Sequence, residues 1–61
     1  MKYKVCINYE DKPLEEFICE SYFSTYTGAF GFEMYRDNGD RFFRYVKNFD
    51  YMDIERYSED A

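Results

Sequence analysis

Tyr3, Val5, Ile7 and Tyr9 alternate with Lys2, Lys4, Cys6 and Asn8 at the start of the chain. A period of two sends successive side chains to opposite sides of a pleated strand, so this segment reads as a strand with one buried face. The same rhythm returns in Phe30, Phe32 and Met34, and again in Phe43 and Tyr45. The predicted fold is therefore all-β: a small antiparallel β-meander or partly closed barrel of four to five strands, with a short C-terminal helical turn as the alternative for its last segment.

The break at Asp11-Lys12-Pro13 ends the first strand, because Pro has no amide hydrogen for a ladder and Asp favours turns. A second strand is expected from residue 14 or 15 to 23. Setting Ile7 opposite Phe17 and Val5 opposite Cys19 also sets Lys4 opposite Glu20, a favourable cross-strand charge pair. Cys6 and Cys19 then point to opposite faces, which excludes a disulfide between them.

Residues 24–28 read as a connection, 29–36 as a third strand and 41–47 as a fourth. Asn38-Gly39 between them is a strong hairpin signal, since both residues tolerate the positive φ of a type I′ turn. That turn puts Phe30, Phe32 and Met34 on one face with Phe43 and Tyr45, Glu33 opposite Arg44 and Tyr35 opposite Phe42. A type I turn with Gly39 as a bulge instead sets Arg36 against Asp40 and brings Arg44 beside Phe32. The first register is expected, because burial of its clean apolar face outweighs cross-strand charge pairs of about 0.2–1 kcal/mol. In the last segment, period two makes Met52 and Ile54 the core side of a fifth strand, whereas period 3.6 lets Asn48 or Asp50 cap a helical turn. Residues 1–57 are expected to form one β domain, and 58–61 a polar tail.

A chain of 61 residues buries only about 60 % of the surface its unfolded form exposes, so it needs large apolar side chains, a staple or a partner. The eight Tyr and seven Phe supply the first of these. No run of about 18 apolar residues is present to span a membrane. The first ten residues are too polar for a signal peptide, and no Asn has Ser or Thr two positions on. The expected location is the cytoplasm of a bacterium or phage-infected host, where thiols stay reduced.

The chain has no His, which removes the commonest general base and any Ser–His or Cys–His nucleophile. Acid pairs such as Glu15-Glu16 lack the cleft that would separate their pKa values, so no enzyme activity and no cofactor are expected. Asp37-Asn38-Gly39-Asp40 does not fit the ligand spacing of a calcium loop. Without His, and with cysteines set apart, no zinc site is expected either.

Gly28-Ala29-Phe30-Gly31-Phe32 and Arg41-Phe42-Phe43-Arg44-Tyr45 resemble the paired aromatic RNP motifs of cold-shock domains. The resemblance implies a small barrel binding single-stranded nucleic acid through Phe30, Phe32, Phe42 and Tyr45. It departs at Thr27, where the family has a basic residue, and at Arg44, where it has His. Phe30, Phe32 and Phe43 are also needed for the core, and single-strand binders use a positive groove whereas this chain carries −5. Direct nucleic-acid binding is thus the alternative.

The charge is unevenly placed. Residues 10–20 carry −4 and residues 49–61 another −4, flanking a segment, 33–47, of +1. Such a field repels phosphate backbones and attracts basic surfaces. The expected function is that of a non-catalytic module docking on a basic protein, including one that itself binds nucleic acid. In size and composition it is similar to the short acidic inhibitors encoded by bacteriophages, among them anti-CRISPR and DNA-mimic proteins. The acids assigned to the partner are Glu10, Asp11, Glu15, Glu16, Glu20, Asp50, Asp53 and Glu55, with Glu59 and Asp60 beyond them. Tyr22, Tyr35, Phe42 and Tyr51 join them as outward aromatics, a residue type enriched in interfaces. A third reading is a homo-oligomer formed through an exposed strand edge.

Overall fold

A computed structural model describes residues 2–58. Among these, six antiparallel strands and no helix are found: β1 (Lys2–Asn8), β2 (Glu15–Cys19), β3 (Ser21–Ser24), β4 (Phe30–Tyr35), β5 (Arg41–Val46) and β6 (Tyr51–Tyr57). They form two three-stranded sheets, β2-β1-β6 and β3-β4-β5. The all-β meander is as the sequence predicts, but the barrel is not closed, since β5 and β6 do not pair. The last segment is a strand: Met52 lies opposite Ile7 and Ile54 opposite Val5. Of the tail expected at 58–61, only Ser58 lies within the described residues.

The predicted second strand is divided. After Cys19 the chain bends at Glu20, whose amide leaves the first sheet and donates to the carbonyl of Glu33 at 2.9 Å. A single continuous strand would have to serve both sheets without turning the corner between them. The register of β1 with β2 also differs from expectation. Val5 faces Phe17 rather than Cys19, and Ile7 faces Glu15. The slip is of two residues, so every side chain keeps its face. The charge pairs are re-dealt: Lys4 reaches Glu16 at 3.5 Å and Lys2 reaches Glu20 at 4.0 Å.

The hairpin between β4 and β5 adopts the bulged turn, not the expected type I′. Phe32 lies opposite Arg44, Met34 opposite Phe42 and Phe30 opposite Val46. Gly39 has φ +93°, whereas Asn38 is not among the positive-φ residues. The Arg36 amide donates to the Asp40 carbonyl at 2.8 Å, and the Gly39 amide to the Arg36 carbonyl at 2.9 Å. Asn38 instead uses its side chain, accepting from the Asp40 amide at 3.0 Å. This is a type I turn followed by a glycine bulge. The β3–β4 turn repeats it: the Thr25 amide donates to the Ala29 carbonyl at 2.8 Å, with Gly28 at φ +89°.

Between the sheets, Val5, Ile7, Cys19, Phe32 and Val46 are buried. Tyr3, Tyr9, Phe17, Phe30, Met34, Phe49, Met52 and Ile54 pack around them. Phe17 of β2 meets Phe32 of β4 edge-on at 5.1 Å, so one aromatic contact joins the two sheets at the centre.

Candidate protein-docking surfaces

The bulged turn decides what the molecule displays. Counting back from Gly39 by one residue reverses the faces of β5 relative to β4, so Phe42, Arg44 and Val46 turn inward while Arg41, Phe43 and Tyr45 turn outward. Phe43, expected in the core, is exposed; Phe42, expected on the surface beside Tyr35, is half-buried on the inner side beneath Arg36, whose guanidinium lies 4.5 Å from the ring centre.

Arg44 is the polar group that this register brings inward, and it is fully engaged. Its guanidinium donates to Glu15 Oε2 on the other sheet and lies 4.8 Å from the Phe17 ring centre. The Tyr9 hydroxyl donates to Glu15 Oε1 at 2.9 Å. The expected Glu33–Arg44 pair is therefore replaced by Glu15–Arg44 between sheets and Glu33–Arg41, at 3.5 Å, within one. Arg44 holds the Glu15 carboxyl below its usual range despite some desolvation, while burial and the neighbouring carboxylate push the Tyr9 hydroxyl up. Both shifts fix the resting protonation state of the group concerned. An ionised Glu15 between Arg44 and the Tyr9 hydroxyl forms a pin between the two sheets.

The acids assigned to a partner divide into two sets. Glu15, Glu16 and Glu20 are committed to Arg44, Lys4 and Lys2. Glu16 also accepts from the Cys6 thiol at 3.1 Å, which lowers its pKa and raises that of Cys6. Glu10, Asp11, Asp50, Asp53 and Glu55 are exposed and, among the described residues, make no ion pair. The first three line an open cleft with Lys12, Asn48 and Phe49. Here the Asp50 amide donates to the Asn8 carbonyl at 2.8 Å, and Asn48, at φ 62°, redirects the chain into β6. Asp53 and Glu55 follow on the outer side of β6, opposite Cys6 and Lys4 and between the exposed Tyr51 and Tyr57. One acidic border thus runs from the loop end along an edge strand.

A second surface was missed by the sequence reading. Phe23, Phe43 and Tyr45 gather on the outer side of β3-β4-β5, with Phe23 at 6.3 Å from Phe43 and 6.0 Å from Tyr45. Gly31 makes this contact geometrically feasible. A Cβ there would stand 2.3 Å from the Phe23 ring, so the ring occupies the space a side chain would fill. The readable signal was glycine inside a strand, which marks a close approach of neighbouring groups. Tyr35, opposite Arg41, extends this face, while Tyr22 stands at the corner, edge-on to Tyr3 at 5.0 Å. Of the four rings assigned to base stacking, Phe32 is buried, Phe30 and Phe42 are half-buried and Tyr45 is exposed.

Among the described residues no group of three or more Cys, Asp or Glu side chains is placed to hold a metal ion. No helix there is long and apolar enough to cross a membrane. Comparison with protein-family models, curated proteins and solved structures found no match.

Proposed function

We propose that this chain is a non-catalytic interaction module that docks on a basic protein surface through its acidic border, in the manner of a small inhibitor occupying a nucleic-acid-binding site. The observation that supports this best is β6 itself: an edge strand with Asp53 and Glu55 exposed between Tyr51 and Tyr57, continued by Asp50, Glu10 and Asp11. Carboxylates interleaved with tyrosines give a basic surface both charge complementarity and ring contacts for arginine. An unpaired strand edge adds main-chain hydrogen bonding to whatever docks there. Glu15, Glu16 and Glu20 contribute less than the sequence suggests, since each already has a cation.

Immobilised protein, incubated with nuclease-treated bacterial lysate, is expected to retain nucleic-acid-binding proteins that elute with salt and with added duplex DNA. A variant carrying Glu10→Gln, Asp11→Asn, Asp53→Asn and Glu55→Gln is expected to lose them. Retention of the same proteins by that variant would contradict the proposal.

A further inference from the structure

The aromatic face of β3-β4-β5 is chemically distinct from the acidic border, and we infer that it docks a second copy of this chain. Its three touching rings, Phe23, Phe43 and Tyr45, are 40 %, 45 % and 60 % exposed, and Tyr35 beside them 52 %. At about 200 Å² per aromatic side chain, these fractions leave roughly 400 Å² of ring surface in water on each copy. A patch of about 300–600 Å² is the largest that a typical monomer exposes and is often functional, so these gathered rings, with Glu33 and Arg41 among them, are the natural candidate for a contact on this sheet.

Charge selects the occupant. The face carries one acid and one base, Glu33 and Arg41, which hold each other at 3.5 Å; Ser21 donates to Glu33 at 2.9 Å and Arg41 also lies over the Phe43 ring. A basic partner finds no uncommitted carboxylate there. A phosphate backbone finds Arg41 already engaged. Two copies of a chain with net charge −5 repel one another over most of their surface, but not across this neutral patch. A side-by-side acid and base are also self-complementary under a two-fold rotation, so Arg41 of each copy can meet Glu33 of the other.

Size points the same way. Among the described residues five side chains make up the buried core, and both cysteines are free. A scaffold this small is commonly completed by a disulfide, a metal or a partner, and a second copy is the partner every solution of the protein contains. Burying the patch on both copies gives an interface at the low end of specific contacts, below about 1,200 Å² in total, so the dimer is weak and exchanges rapidly.

Sedimentation velocity of the full chain from roughly 1 µM to 1 mM tests this, with the affinity read from the rise in mean mass. The monomer is expected to convert reversibly to a dimer across that range, equally well or better at higher salt, because the contact is apolar. Phe43→Glu is expected to weaken association at least about 30-fold, and Tyr51→Glu on β6 to leave it unchanged. Tyr45→Ser gives the same readout without placing a charge on the sheet, and far-UV circular dichroism of each variant verifies its fold. A strict monomer up to 1 mM would overturn the inference. So would association that survives Phe43→Glu but fails in Tyr51→Glu, which would move the contact to the β6 edge. Quenching of tyrosine fluorescence by oligo-dT in wild type but not in Phe43→Glu would also overturn it, in favour of single-strand binding.

Discussion

At the middle of each sheet's outer face stands a central strand, β1 in one sheet and β4 in the other, and the two are finished differently. Around β1 the outer side chains are Lys4 and Cys6, flanked by Ile18 and Glu16 across one ladder and by Asp53 and Glu55 across the other, with Tyr51 and Tyr57 at the two ends of β6. Around β4 they are Gly31 and Glu33, flanked by Phe23 and Ser21 on one side and by Phe43 and Tyr45 on the other. The first face covers itself with paired charges and leaves surplus acid at its β6 edge. The second covers itself with rings, and one of those rings fits only because the central strand lacks a side chain beneath it. Two sheets of equal strand number thus present different chemistry to solvent, mainly ionic on one side and mainly aromatic on the other.

The largest effect is expected where the two faces depend on a common support. Phe32 is fully buried and joins the sheets through Phe17, so Phe32→Ala should cost about 3–5 kcal/mol. Total stability of a domain this size is about 3–9 kcal/mol, so thermal unfolding of the variant should show little or no native baseline. Next comes the test that separates the faces. Gly31→Val must displace the Phe23 ring, and is expected to cost about 1–3 kcal/mol; Cys6→Val, at the corresponding central position of the other sheet, should stay within about 1 kcal/mol. Chemical denaturation of both variants makes the comparison. Equal losses would mean that Phe23 does not rest over Gly31.

A smaller effect is expected at the pin between sheets. The Arg44 and Glu15 side chains are 33 % and 36 % exposed, so solvent screening limits the loss in Arg44→Met to about 1 kcal/mol. Their pairing also carries a pH signature. Glu15 and Glu16 both bind protons less readily in the fold than in the unfolded chain, the first because of Arg44, the second because of the Cys6 thiol and Lys4. Their ionised forms therefore favour the folded state. The contribution is complete above the ordinary glutamate value of about 4.3 and is lost as pH falls below it through the lower native-state values. Melting temperature measured against pH should accordingly fall less steeply on the acid side in Glu15→Gln than in wild type. The smallest effect concerns the thiols. Cys19 is buried and Cys6 is restrained by Glu16, so both should react slowly with a disulfide reagent at neutral pH, Cys19 more slowly. Glu16→Gln should speed Cys6 by lowering its pKa towards the ordinary thiol range.

These elements differ in how far the chain announces them. Alternation in residues 2–8 and at Met52 and Ile54 identifies β1 and β6 and their buried sides, because period two is a local property. It cannot detect the two-residue slip between β1 and β2, since such a slip leaves every residue on its own face. The β4–β5 register is a harder case. There a one-residue difference exchanges Phe43 and Tyr45 for Phe42 and Val46 in the core, and local burial favours the wrong choice. What favours the observed register is remote: Arg44 turned inward meets Glu15, 29 residues away, with Tyr9 and Phe17 around the pair. The acidic border was visible in part. Composition shows the carboxylates, but only the fold separates Glu15, Glu16 and Glu20, which hold cations, from Asp53 and Glu55, which face outward. The bend at Glu20 has no signal in the alternation, because it arises from the Glu33 carbonyl on another strand.

The division between an ionic border and an aromatic face is tested most directly by an amide chemical-shift map. The ¹⁵N-labelled chain, dilute and at low salt, is titrated with an oligo-arginine peptide. Shifts are expected along Tyr51–Tyr57 and at Glu10, Asp11 and Asp50, to disappear when salt is raised, and to leave Phe23, Gly31, Phe43 and Tyr45 in place. Shifts centred on those four residues, or spread evenly over both sheets, would contradict it.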